Sequence, residues 1–423
     1  MSEKQFTFAQ RHHQLTNINV WTADSQWLAF DVRPSGASFT GLTIERVNVF
    51  TGAVDVLYQA RDGAHVGVVT VSPELPPRYV CIHGPEHPDA DWHYDFHHRR
   101  GVIVQEGHAE TLDACDITAP YTPGALRGGS HVHVFSPDGT RLSFTYNDHV
   151  MHERDPREDL RNVGVAVPLH PVCPAEKHPR EYDGSHYCVL ISQTQRDPQP
   201  GSDAIDRAYE ECWIGERGYQ KADGSWQRWA IAFIGDTRDA SGQKVPEVFI
   251  VDLPEALTDY ARPGSSPLEG SDTRLPAPPA GVQQRRLTQT RGLALQPRHW
   301  LRAAPDGSAI AFLLADEQGI IQLWSVSPNG GEPRQITRLS SSIQSAFSWH
   351  PQGDAIAFIS AGRVMRCEIA DGRCTPLTPV SAAALSGDAV VWSPDGNQIA
   401  YMREVAGWRQ LFCVSATPAS PQP

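Results

Sequence analysis

The chain has 423 residues, 40% of them hydrophobic and 20% charged, with a formal net charge of -13. That balance supplies no positive field for a phosphate backbone, so nucleic acid is excluded as a partner. The longest apolar runs, such as residues 66–71, fall far short of the roughly 18 residues of a membrane helix, so no membrane association is expected. Near the start, Lys4, Gln5 and Arg11 are present without the apolar run of a secretory signal, and a cytoplasmic location is expected. Eight cysteines without a C-x-x-C pair read as small buried residues, not as a zinc ribbon or a disulfide scaffold.

Thirty-four glycines and thirty-four prolines separate short β-branched and aromatic stretches, the pattern of strands joined by turns. In chain order, a first strand is expected over residues 6–16, ending in Gln14-Leu-Thr16. Trp21-Thr-Ala-Asp24 before Leu28-Ala-Phe30, and Val71-Ser-Pro73 before Tyr79-Val-Cys81, are weak forms of a phrase that becomes explicit in Val134-Phe-Ser-Pro-Asp-Gly139 before Leu142-Ser-Phe144. It returns at Ala303-Ala-Pro-Asp-Gly307, Ser348-Trp-His-Pro-Gln-Gly353 and Val391-Trp-Ser-Pro-Asp-Gly396, each followed by an apolar triplet. Pro presets φ, Asp accepts from the following amides and Gly supplies a positive φ, so the phrase is a tight hairpin between the first two strands of a unit. Pro305, Pro351 and Pro394 are 46 and 43 residues apart, the length of a four-stranded propeller blade.

A second phrase, Arg286-Leu-Thr288, Gln335-Ile-Thr337 and Pro376-Leu-Thr378, marks the outermost strand, and Gln14-Leu-Thr16 is read as its N-terminal copy. The fold class that follows is all-β: a seven-bladed β-propeller of four-stranded antiparallel blades forming one domain over residues 1–423. The blades are expected near 17–60, 65–110, 130–178, 185–288, 298–338, 344–379 and 388–418, with the 6–16 strand closing the last. Blade four begins in this reading at Ser185-His-Tyr-Cys-Val-Leu-Ile191, with insertions at 195–219 and 263–281, the second a floppy loop. The tail from Thr417 onward is expected to be unstructured.

Ser136-Pro-Asp-Gly139 and Gly331-Glu-Pro-Arg-Gln-Ile-Thr337 resemble the TolB-type propeller repeat, over most of the chain. Asp31-Val-Arg-Pro-Ser-Gly36, Trp92-His-Tyr-Asp-Phe-His-His-Arg-Arg-Gly101, Asp116-Ile-Thr-Ala-Pro-Tyr-Thr-Pro-Gly124, Arg127-Gly-Gly-Ser-His-Val-His133 and Phe144-Thr-Tyr-Asn-Asp-His149 resemble the bacterial YidR-like family. A more distant similarity, carried by polar side chains leading into Ser-Pro-Asp-Gly strands as in Ser130-His-Val-His133, is to oligogalacturonate lyases. That resemblance implies a cytoplasmic seven-bladed propeller with a divalent metal held at the channel mouth by histidines and a glutamine. The chain departs from it before blade six, where Ile343-Gln-Ser-Ala-Phe347 lacks the paired histidines and only Gln344 corresponds.

Fourteen of the eighteen histidines lie between positions 65 and 186. Propellers bind ligands where their innermost strands begin, about six residues before each hairpin turn. At that offset stand His131 and His133, His186, His299, Gln344 and Asp388, with His65, Asn17 and Asn19 nearby. Neutral imidazoles with an amide oxygen suit a divalent metal such as Mn, Zn or Fe, and His131, His186, His299 and Gln344 are the candidate ligands. His131 and His133, two apart on one strand, are expected to share a face. Residues 92–100 pack three histidines, two arginines, an aspartate and three aromatics into one run, read either as a loop bringing Arg99 or Arg100 to an anion or as an amphipathic edge strand. Arg33, Arg127, Arg161, Lys177, His178 and Arg180 lie on apparent loops, and His149 is placed at the far end of its strand, toward the opposite mouth.

No G-x-S-x-G, Walker loop, G-x-G-x-x-G or H-E-x-x-H occurs, which removes serine hydrolase, nucleotide and dinucleotide chemistry. The leading expectation is a metal-dependent lyase that β-eliminates a small uronate-containing oligosaccharide. In it His133 or His65 acts as base, and Arg127, Arg99 and Arg33 bind the anion. The rivals are a TolB-like propeller that binds a peptide, protein or small ligand without chemistry, and a metal-assisted hydrolase.

Overall fold

In the computed structural model, which describes residues 3–175 and 177–417, the Ser-Pro-Asp-Gly phrases close the hairpins that their chemistry dictates. Ser136 Oγ donates to Asp138 Oδ1 at 2.7 Å, the Thr140 amide donates to the same oxygen at 3.1 Å, and Gly139 sits at φ 73°. Ser393, Asp395, Asn397 and Gly396 repeat the arrangement. Each such turn sets two strongly apolar strands side by side, and seven antiparallel sheets form an all-β ring. The tail beyond Thr417, for which no structure was expected, lies outside the described residues.

From the channel outward, blade 1 comprises Trp27–Asp31, Thr43–Asn48 and Val54–Gln59, with single bridges of Trp21 to Leu28 and Gln14 to Asp31 on its inner side. Blade 2 is Val66–Val71, Tyr79–His83, Arg100–Gln105 and His108–Thr111, and blade 3 is Gly128–Phe135, Leu142–Asp148, Asn162–Val167 and Tyr187–Leu190. Blade 4 is Arg207–Trp213, Ala230–Arg238, Lys244–Asp252 and Gln284–Arg286. Blades 5 and 6 are Arg302–Ala303, Ile310–Ala315, Ile321–Val326 and Arg334–Gln335, then Ser348–Trp349, Ala355–Ser360, Arg363–Glu368 and Cys374–Pro376. Blade 7 is Leu385–Trp392, Gln398–Val405 and Trp408–Ser415, completed by Lys4–Gln5. No helix among the described residues is long and apolar enough to cross a membrane.

The Leu/Ile-Thr phrase has a physical role in each copy. The Thr288, Thr337 and Thr378 hydroxyls accept from the amides of Val248, Leu323 and Val364 at 2.9, 2.9 and 3.0 Å, capping the start of the neighbouring strand's pairing. The same device corrects two boundaries. Ser192 accepts from the Val163 amide at 2.8 Å, so Tyr187–Leu190 is the outer strand of blade 3 and not the inner strand of blade 4. That inner strand, Arg207–Trp213, lies within the expected insertion, and its first turn is swollen by the hairpin Tyr219–Gln220 with Trp226–Gln227 in place of Ser-Pro-Asp-Gly. At the N-terminus, Thr7 accepts from the Leu411 amide at 2.9 Å and the Phe6 amide donates to Leu411 at 2.9 Å. The closing copy of the phrase is therefore Gln5-Phe-Thr7, and Gln14-Leu-Thr16 belongs to blade 1. The 263–281 segment is pinned, not floppy: Arg127 donates to the carbonyls of Ser271 and Arg274 at 2.6 and 3.0 Å, and Tyr121 to Asp272 at 2.6 Å.

Three of the histidines expected at the channel are packing residues. Val132 takes φ 51° at a bulge between the Val134–Ser143 and His131–Thr145 pairs, and the extra residue turns His133 away from His131. His133 is fully buried against Gly101, where a Cβ would lie 2.8 Å from its Nε2, and that nitrogen meets Ser130 Oγ at 2.8 Å. His299 has both nitrogens engaged by backbone, Nδ1 with Pro297 O at 3.3 Å and Nε2 with the Leu313 amide at 3.2 Å. His186 is buried beside the outer strand of blade 3, its Nδ1 2.9 Å from Ser185 Oγ. Burial holds these rings near pKa 3 for His133 and about 4 for His186 and His299, below the 6.5 of a free histidine.

Two outcomes follow for stability. Between the folded and unfolded pKa values the unfolded chain binds more protons, so stability is intact above pH 6.5 and falls as the pH drops toward about 4, which melting curves across that window will show. Thr7→Val leaves the buried Leu411 amide without its partner and is expected to cost about 1–3 kcal/mol in urea unfolding.

Candidate functional site

The inner strands begin at one mouth of the channel, and the loops that reach it are rich in arginine. Residues 84–99 form the long connection between the second and third strands of blade 2, and its last residue, Arg99, lies over the inner strand of blade 3. The Ser130 amide donates to Arg99 O at 3.1 Å, and Gly129 permits the approach, since a Cβ there would sit 2.2 Å from Phe96 O. The Arg99 side chain is 3% exposed. Its Nη1 donates to Tyr94 Oη at 3.1 Å, while Nε and Nη2 make no hydrogen bond to any described residue.

Arg161, Arg298, His131 and Asp95 lie within electrostatic reach of Arg99, and Arg207 and Glu210 within reach of Arg161. Arg298 Nε donates to Glu210 at 2.9 Å and Arg161 Nε to Asn147 Oδ1 at 3.1 Å. The guanidinium groups of Arg99 and Arg161 lie 5.4 and 5.5 Å from the ring centre of exposed Phe96. Burial, then Arg99 and Arg207, pushes Arg161 down to about 9, and burial followed by Arg99, Arg161 and Arg298 holds His131 well below 6.5. Four arginines against the two carboxylates Asp95 and Glu210, around a neutral imidazole, leave an excess of positive charge suited to an anion.

Of the residues expected to bind an anion, Arg99 is the one with two unpartnered nitrogens among the described residues. Arg127 is fully buried with Nε and Nη2 on Asp148 Oδ2 at 3.1 and 2.8 Å, its remaining donors serving the 263–281 segment. Arg33 is buried with Nε on Asp31 Oδ1 at 2.7 Å and Nη1 on the Gly36 and Ser38 carbonyls at 3.2 and 3.3 Å. Arg127 is structural because its donors are spent, whereas Arg33 is held by Asp31 and the 36–38 turn through Nε and Nη1. His65 is partly buried at the start of blade 2's inner strand, and exposed Gln344 accepts from the Gly362 amide at 3.2 Å. The candidate metal ligands His131, His186, His299 and Gln344 thus face four different surroundings. Arg161 was visible as a loop arginine, whereas Arg207, Arg298 and Glu210 carried no motif, since the unforeseen inner strand of blade 4 and the segment before blade 5 bring them together.

Beside the mouth lies a second group, where the 84–99 loop meets blade 3. The second strand of that blade returns to the mouth where its first began, so His149 stands on this side and not on the opposite one. It opens the short helix His149–Arg154, whose N-terminus Asp148 caps by accepting from the Met151 amide at 2.8 Å. His149 and His152 share a helix face at i, i+3. His97, His98 and His149 have one ring nitrogen each within 4.8 Å of one another, and so do donor atoms of His97, His152 and Asp159. His98 Nε2 is 3.0 Å from His149 Nδ1, and Trp92 stacks on His98 at 3.7 Å. Burial and then the neighbouring imidazoles depress His97 to about 3 and His149 to about 4, and burial likewise lowers His98 to about 4. Neutral imidazoles are metal ligands. The signal for this group was present in His97-His98 and in the H-x-x-H spacing of His149 and His152.

Residues 65–182, which hold both groups' histidines, match the model of a family described as a protein of unknown function, DUF3748. The solved structures of oligogalacturonate lyase in complex with manganese and of oligogalacturonate lyase from Vibrio parahaemolyticus are each 11% identical to the chain, with TM-scores of 0.59 and 0.57. They align over 98% of this chain and 92% and 93% of theirs, a likeness of fold. The Uncharacterized protein YidR of Escherichia coli strain K12 is 59% identical over 410 residues, 96% of either chain, and the chain therefore belongs to the YidR family.

Proposed function

We propose that the chain binds a small anionic carbohydrate at the arginine-lined mouth and acts on it as a lyase, most concretely by β-elimination from a uronate-containing oligosaccharide. The observation that carries this reading is the buried Arg99 guanidinium, whose Nε and Nη2 have no partner among the described residues. A buried cation with idle donors is costly unless a ligand completes it. A uronate carboxylate does so in paired hydrogen bonds, with Arg161 alongside and Phe96 as an apolar face for the sugar ring. Neutralising that carboxylate makes the adjacent C–H more acidic, which is the difficulty of the reaction. His131 replaces His133 and His65 as the base, since it stands neutral among these cations.

The lyases that share the fold support this reading, one of them solved with manganese. The second reading is an anion-binding propeller without chemistry, and the separation of His131, His186 and His299 favours it.

Arg99→Ala and Arg161→Ala are each expected to weaken calorimetric binding of an oligogalacturonate by about ten- to a hundredfold, the worth of one charge-assisted contact. A neutral oligosaccharide of the same length should bind no better to wild type than to either variant. His131→Gln is expected to retain binding and to lose the absorbance of unsaturated products. Binding without such products supports the second reading, and equal affinity for charged and neutral sugars overturns both.

A further inference from the structure

We propose that the imidazoles of His97, His98 and His149 bind a divalent transition-metal ion, with His152 and Asp159 beside it, at the seam of blades 2 and 3. Three observations carry the assignment. First, His98 is already oriented as a metal ligand. Its Nδ1 lies 3.0 Å from the His93 carbonyl, which only accepts, so Nδ1 carries the proton and Nε2 presents a lone pair toward His149. A backbone carbonyl on the distal nitrogen is the support that ligating histidines use. Second, the spacing is close to that of a coordination shell. Ligands about 2.0–2.1 Å from a tetrahedral ion lie roughly 3.3 Å apart, and the His98–His149 nitrogen pair stands at 3.0 Å with all three donors within 4.8 Å.

Third, the group is braced from both sides. The Trp92 ring stacks on His98 and meets His149 edge-on at 4.8 Å. On the helix side, Asp159 Oδ1 accepts from Asn147 Nδ2 and the Asp148 amide at 3.0 and 2.7 Å, leaving Oδ2 turned to His152 Nδ1 at 3.6 Å. His97 stacks on His152 at 3.9 Å and joins the two halves. Nitrogen donors with one carboxylate select zinc, cobalt, nickel or copper over magnesium or calcium.

The ion would clasp the 84–99 loop to blade 3. His98 is adjacent to Arg99, and Asn147, which holds Asp159, also accepts from Arg161. The coupling of this clasp to anion binding rests on the reading given under Proposed function; the metal site itself does not.

The test uses the full chain without a histidine tag, dialysed against chelator, loaded with zinc or cobalt and freed of excess ion. Elemental mass spectrometry is expected to find close to one zinc per chain, with a higher melting temperature than the chelated form and the intense visible bands of four-coordinate cobalt in the cobalt form. The variants His98→Ala and His149→Ala, checked for folding by circular dichroism, are expected to lose the ion and the bands, while His131→Gln keeps both. Wild type that retains neither zinc nor cobalt overturns the proposal, as does a His98→Ala, His149→Ala double variant that keeps its full zinc. Zinc retained by a chain that binds no uronate would sink the proposed function alone.

Discussion

The fully buried pair of Arg127 and Asp148 holds both functional groups in place. Asp148 ends the second strand of blade 3. Its Oδ2 accepts from Arg127 and from Tyr146 Oη at 2.8 Å, and its Oδ1 caps the helix that presents His149 and His152. Arg127 opens that blade and fastens the distant 271–274 turn with the donors Asp148 does not use. A buried ion pair is weak evidence of stability, because desolvation offsets much of the attraction, yet removing either partner strands a charge at a cost of about 3–5 kcal/mol. Its use here is geometric: strand end, helix start and a long insertion are fixed by one carboxylate.

The arginine mouth and the histidine seam are joined through the residues this pair positions. Asn147, next to Asp148, links Arg161 to Asp159, and the loop that ends in Arg99 passes over the same strand. A ligand at the mouth and an ion at the seam would therefore draw on one rigid support. Arg99 itself has few anchors of its own, which leaves its donors idle for a partner.

The ring was legible because its turns are local chemistry. Ser136-Pro-Asp-Gly139 and Ser393-Pro-Asp-Gly396 specify their hairpins within a few residues, and the hydroxyl that caps each outer strand is written beside it. The reading failed where that code changes letters. Ser192 stands for threonine at the end of blade 3, Thr7 follows a phenylalanine, and blade 4 has no Ser-Pro-Asp-Gly turn, so its inner strand was invisible. The candidate site was legible only in part. Arg99 was reachable from the 92–100 run, but alternation could not show that Val132 bulges and sends His133 into the core. Nor could it show that Arg127 and Arg33 find carboxylates, since those partners are settled by tertiary packing.

The closure of blade 7 bears on how the chain is made. Lys4 pairs with Cys413 and Gln5 with Phe412, so a strand made before the rest of the ring is among the last to find its place. Until then Trp408–Ser415 offers an open edge, and six blades stand without the seventh that seals them. Contacts of such long sequence separation form slowly. During that interval the unpaired backbone groups of the Trp408–Ser415 edge are a template for pairing with any other exposed strand.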